Sequence, residues 1–109
     1  MIVISTQCYP PKVGGIEFLM SGLSAELSAS GNDVVVFADG AGNKEERKFD
    51  TKQPYPVYRY AGIKLWRRRK KAKDIAHYIT NHKLKNLTLL TDSWKSLELI
   101  NQSHFDKIL

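Results

Sequence analysis

Ile2-Val3-Ile4-Ser5-Thr6-Gln7-Cys8-Tyr9-Pro10-Pro11-Lys12-Val13-Gly14-Gly15-Ile16-Glu17 runs from an apolar opening through a proline-stiffened loop and a glycine pair into a helix start. The short β-branched run bounded by a polar turn suits a buried parallel strand, which predicts a strand from Ile2 to about Thr6. Pro10 and Pro11 fix φ and bar helix through the loop. Gly14 and Gly15 permit positive φ and let another backbone or a ligand come close where a Cβ would clash. From Ile16 the apolar residues Ile16, Leu19, Met20, Leu23 and Leu27 mark one face of an amphipathic helix, with Glu17 complementing the dipole in its first turn. Gly31 is the expected C-cap. Free amides behind two glycines suit an anion, a diphosphate above all. A tight turn joining strand to helix explains the same glycines without a ligand.

Working outward, Leu27-Ser28-Ala29-Ser30-Gly31-Asn32-Asp33 closes the helix and Val34-Val35-Val36-Phe37 reads as a second strand. The Tyr-Pro-Pro loop, Gly14-Gly15-Ile16-Glu17, this helix closure and this strand together resemble the opening of family 4 glycosyltransferases of the GT-B fold. Asn32 stands where that family has a histidine after the glycine. The resemblance continues more loosely through Tyr60-Ala61-Gly62-Ile63-Lys64-Leu65-Trp66 and a basic helix to a fourth strand near Leu87 to Thr91. It implies an α/β fold: a partial, Rossmann-like three-layer domain with a parallel sheet, the incomplete N-terminal half of GT-B. Residues 1–109 are then a truncated N-terminal domain, without the C-terminal domain that holds most of the donor.

The activity so implied is transfer of a sugar from a nucleotide-sugar donor to an acceptor. Nucleotide sugar is a substrate there, and neither a cofactor nor an essential metal is expected. The Gly14 and Gly15 amides are expected to approach the donor diphosphate. The loop Tyr9, Pro11 and Lys12, with Glu17, Asp92 and Ser93, is expected to border the acceptor. No catalytic residue is expected within the chain, and the fragment alone is expected to be inactive. Asp92 stands where the family often has a histidine near the acceptor.

Two rival phosphate chemistries lack their motifs. Val13-Gly14-Gly15-Ile16 is not the Gly-x-Gly-x-x-Gly of a dinucleotide fold, and no Gly-Lys-Ser/Thr follows a glycine loop as nucleoside triphosphatases require. At 109 residues the chain is one small domain at most, able to bury roughly 60 to 70 % of its unfolded surface. Its single cysteine, Cys8, allows no intrachain disulfide and points to a reducing compartment, the cytoplasm by default. No signal-peptide pattern follows Met1, and no apolar run approaches the ~20 residues that span a bilayer.

Asp39 to Lys48 is polar, glycine-containing and without sustained period, which predicts a surface loop. Asp39 follows the second strand where some nucleotide folds carry a ribose-binding acid, although the glycine fingerprint is absent. Gln53-Pro54-Tyr55-Pro56 is a stiff turn into a third strand, Val57 to Tyr60. Trp66-Arg67-Arg68-Arg69-Lys70-Lys71-Ala72-Lys73 then supplies six basic residues of a chain with formal net charge +6. Heading a helix, the run leaves Ala72, Ile75, Ala76 and Ile79 as the buried stripe. Cations at a helix start oppose the dipole. Trp66, Arg67, Arg68, Arg69, Lys70 and Lys71 therefore form a candidate patch for an anionic membrane surface, on the inner face of the membrane, with Leu65 and Trp66 at the interface. An ordinary solvated face explains the run equally. Nucleic acid is a weaker rival because no known nucleic-acid module accompanies it.

Leu87 to Thr91 reads as a fourth strand, with Asp92 and Ser93 either at the crevice edge or as N-caps of a helix carrying Trp94, Leu97, Leu99 and Ile100. A further strand is expected to begin around Phe105 to Leu109. His77, His82 and His104 show no metal-site spacing. A rival function of another class is a stand-alone module docking on an anionic membrane through the basic helix.

Overall fold

Ile2–Thr6 forms the first strand, β1, and its alternate residues face opposite ways into two apolar layers. The computed structural model describes residues 1–82, 86–92, 100, 103 and 105–109. Helix α1 (Gly15–Ala29) leads to β2 (Val34–Asp39), α2 (Lys44–Thr51), β3 (Val57–Tyr60), α3 (Lys64–Asn81), β4 (Thr88–Thr91) and β5 (Lys107–Ile108). The five strands are all parallel, in the order β3-β2-β1-β4-β5. The fold is therefore α/β, and it is compatible with a partial Rossmann-like domain.

The centre of the sheet carries the burial. Ile4 lies beside Val36 on one neighbour and Leu90 on the other, and Val3, Ile4, Val35, Val36 and Leu89 are fully buried. A strand covered on both faces needs no polar alternation, which is why the β-branched runs of β1 and β2 were readable as strands. Val3, Val35, Phe37, Leu87 and Leu89 pack with Ile75 and Ile79 of α3 on one face. Ile4, Val34, Val36 and Ala38 pack with Met20, and with the partly buried Leu27 and Phe49, on the other. Helices α1 and α2 thus share a face, and α3 covers the opposite one.

Four expectations change. The stretch after β2 is not all loop: α2 begins at Lys44, and Asn43 caps it by accepting from the Glu46 amide at 3.0 Å. The second strand extends two residues further, to Asp39. The glycine pair does not use left-handed freedom, since Gly14 is extended at φ 170° and ψ 169° and Gly15 opens α1. Gly31 does, at φ +91°, just past the end of α1 as a C-terminal glycine should.

The fourth change concerns which face of α1 is inside. Glu17, Met20 and Ser24 are its buried residues, whereas Ile16, Leu19 and Leu23 are exposed and Leu27 is half-buried. Small Ser24, whose hydroxyl donates to the Met20 carbonyl at 2.7 Å, lies fully buried against the sheet. The helix is therefore turned by part of a turn from the position that its leucines alone suggest. In α3 the expected stripe is found in part: Ile75 and Ile79 are buried, Ala72 and Ala76 are half-buried, and Lys71 joins them.

Candidate functional site

Parallel strands joined by helices bring every helix start to the carboxyl edge of the sheet. There the loop after β1 and the loop after β2 enclose a cleft of about 780 Å³. Gln7, Cys8, Tyr9, Pro11 and Lys12 form one wall; Asp39 to Ala41, Asn43, Glu45 and Glu46 form the other, and Arg67 of α3 reaches it. The strand order reverses between β1 and β4, where open α/β sheets commonly bind ligands; the cleft lies on the other side of β1, between the loops after β1 and β2.

The Tyr-Pro-Pro loop is fixed by contacts from three elements. Tyr9 is buried; its hydroxyl lies 2.6 Å from that of Tyr55 and its ring meets Phe49 edge-on at 6.0 Å. Burial above all pushes the Tyr9 phenol far up, so it stays protonated. Arg59 of β3 stands 5.4 Å over the same ring and donates to the Pro10 carbonyl. Three further bonds, of 3.3, 3.1 and 2.8 Å, hold that guanidinium on Asp50 of α2. The wall that presents Pro11 and Lys12 is thus preorganised, and both of these residues are exposed.

The opposite wall is held by Glu46. Its carboxylate accepts from the Ala41 amide at 2.9 and 3.0 Å and from the Gly42 amide at 2.7 Å. A Cβ on Gly40 would stand 2.6 Å from that carboxylate, so glycine is what allows the approach. Beneath the cleft, Asp39 at the end of β2 forms ion pairs with Arg67, whose Nε lies 3.1 Å from Oδ2, and with the Lys71 ammonium beside Oδ1. Lys71 also donates to the Thr6 carbonyl at 3.2 Å, tying α3 to the end of β1.

Asp92 follows β4 and locks the start of the β1 loop. Its Oδ2 accepts from the Thr6 hydroxyl and the Gln7 amide, both at 3.0 Å. Thr6 Oγ1 in turn accepts from the Cys8 amide at 3.0 Å. Burial, then the charges of Asp92 and Glu17, push the Cys8 thiol up, with Lys12 acting weakly the other way. Cys8 is thus a protonated, half-buried thiol beside the strand end.

The expected site residues fall into several groups. Tyr9, Pro11 and Lys12 line the cleft together. Gly14 and Gly15 are exposed at the start of α1 but do not line it. Nothing lies within 4 Å of where a Cβ on Gly15 would be, whereas one on Gly14 would meet Glu17 Oε1 at 2.5 Å. Glu17 is buried and folds back over Gly14. Asp92 holds the loop from behind, and Ser93 lies outside the described residues.

The basic run divides in two. Arg67 and Lys71 turn inward to Asp39, one helical turn apart on the same face of α3. Trp66, Arg69 and Lys70 stay exposed, and Arg68 is half-buried. His82 stacks on Tyr78 with ring centres 4.2 Å apart, His77 is exposed, and His104 lies outside the described residues. Trp94, Leu97 and Leu99 also lie outside them, while Ile100 is buried.

Sequence reading did not single out Arg59, Asp50 or Glu46. Asn43 with Glu46 three residues on is a helix-start signature that pointed to α2. Among the described residues no group of three or more His, Cys, Asp or Glu is placed to hold a metal ion, and no helix is long and apolar enough to cross a membrane. Comparison with protein-family models, with curated proteins and with solved structures found no match in any of the three.

Proposed function

We propose that the chain is the N-terminal part of a glycosyltransferase of the GT-B, family 4 kind, which uses a nucleotide sugar as donor and is inactive without a second, donor-holding domain. The observation that carries this reading is the open backbone at Gly15, with no atom within 4 Å of a Cβ there, beside a rigid loop that lines a cleft at the carboxyl edge of a parallel sheet. The exposed amides of Gly14 and Gly15 approach the donor diphosphate and stabilise charge on the leaving group, as preorganised donors do. Tyr9, Pro11 and Lys12 border the acceptor, with Asp92 fixing the start of the loop from behind and Glu17 beside Gly14. The reaction requires neither cofactor nor metal in this reading. The experiment is a titration of the chain with nucleoside diphosphate sugars, repeated with Gly15→Val. Saturable binding that Gly15→Val weakens about tenfold or more supports the reading; saturable binding that Gly15→Val leaves unchanged removes it.

A second reading has its own observation. Ile63, Leu65 and Trp66 are exposed, Trp66 to 71 %, beside exposed Lys64, Arg69 and Lys70 at the start of α3. An apolar cluster ringed by bases suits a peripheral site on an anionic membrane surface, on its cytoplasmic face. Vesicles rich in phosphatidylserine should then retain the chain at low salt and lose it with Trp66→Ser. Equal retention on neutral phosphatidylcholine vesicles contradicts this reading.

A further inference from the structure

Two cations share one carboxylate beneath the cleft. Asp39 is paired with both Lys71 and Arg67, whose side chains are 5 % and 25 % exposed. The triad by itself holds two positive charges against one negative at the junction of β1, β2 and α3. A partly buried local excess of this kind favours a nearby anion. The other buried carboxylate of the wall, Glu46, is occupied by two backbone amides and stands 3.9 Å from Arg59. Arg67 is the member of the triad that lines the cleft. Its Nε lies 3.1 Å from Asp39 Oδ2 in an ion pair and its Nη1 donates to the Gly62 carbonyl at 3.3 Å, so two contacts restrain the guanidinium before any ligand arrives. Lys12 brings a second, exposed cation from the facing wall.

We infer that the floor of the cleft binds an anionic group of the acceptor, a phosphate or a carboxylate, with Arg67 as its main contact and Lys12 as the second. The inference rests on the cleft being the acceptor side of the proposed transferase, and it adds a chemical class: the acceptor is acidic. An arginine fork suits a flat or tetrahedral oxyanion by paired hydrogen bonds, whereas Lys12 acts as a point charge. Asp39 and Lys71 are positioning residues that aim Arg67. Exposed Glu45, also lining the cleft, opposes an anion and limits affinity.

The test is calorimetric titration of the intact chain with inorganic phosphate and, separately, malonate, at constant ionic strength because salt screens such contacts. At least one anion should saturate, and the one that binds more tightly identifies phosphate or carboxylate as the natural group. Arg67→Gln should weaken binding about tenfold or more. Arg67→Lys should restore part of the loss, Arg69→Gln should bind as the parent does, and Glu45→Gln should bind more tightly. Thermal unfolding of each variant separates lost binding from lost fold. Saturation by neither anion, or unchanged binding by a folded Arg67→Gln, overturns the inference. If nucleotide sugars bind and respond to Gly15→Val while neither anion saturates, the anion site fails and the transferase reading stands. If phosphate or malonate binds through Arg67 while Gly15→Val leaves nucleotide-sugar binding unchanged, the anion site stands and the transferase reading fails.

Discussion

Asp39 shows how much one side chain at a strand end decides. It is the last residue of β2, and it gathers Arg67 and Lys71 from a helix that begins 25 residues later. Lys71 is almost wholly inside, and besides Asp39 it bonds the Thr6 carbonyl. Removing one partner of a buried pair leaves the other charge without compensation, at a cost of about 3 to 5 kcal/mol. Asp39→Ala should therefore lower stability by about 3 kcal/mol, seen as a shifted urea midpoint with unchanged slope. A midpoint equal to that of the parent would mean the cluster does not stabilise the fold. Sequence placed Asp39 behind a strand and Arg67 and Lys71 within a basic run, yet nothing local marked them as neighbours. Their meeting depends on how α3 crosses the sheet, which is a long-range property. Arg59 was hidden for the same reason, since it joins α2, β3 and the proline loop at once.

At the scale of elements, the strands were legible and the faces of the helices less so. Runs of β-branched residues covered on both sides carry a strong signal, and β1 occurs with the expected bounds; the edge strand β3 does so too, marked by the proline turn before it. Helix α2 was hidden because it holds one apolar residue, Phe49, among charged ones, so no period could emerge. Its capping pair, Asn43 and Glu46, was the available clue. In α1 the leucines suggested one face, but Glu17 and Ser24 take buried places beside Met20. Polar residues inside cannot be read from apolar periodicity. The two descriptions of α1 differ in a measurable way. Met20→Ala should cost about 2 to 5 kcal/mol by leaving a cavity, whereas Leu19→Ala, at a residue 57 % exposed, should stay within about 0.5 kcal/mol. The reverse order of losses would contradict the observed orientation.

For the whole molecule, the parallel order β3-β2-β1-β4-β5 brings the starts of α1, α2 and α3 to one edge, and the cleft lies there. Topology explains why residues as distant as Tyr9, Glu46 and Arg67 can face one ligand. The proposed roles divide across that edge: the open amides at Gly14 and Gly15 for a donor diphosphate, the rigid loop and Arg67 for an acidic acceptor, and the exposed start of α3 for a surface. The fold class and the loop lining the cleft were legible in sequence, because prolines, glycines and apolar runs act locally. The inward turn of Arg67 and Lys71 was not, because charge counts carry no direction. The most direct test of the transferase reading is the nucleotide-sugar titration followed through backbone amide resonances. The account predicts saturable shifts centred on Gly14, Gly15 and the loop Tyr9 to Lys12 that weaken in Gly15→Val; shifts that centre elsewhere and ignore Gly15→Val would contradict it.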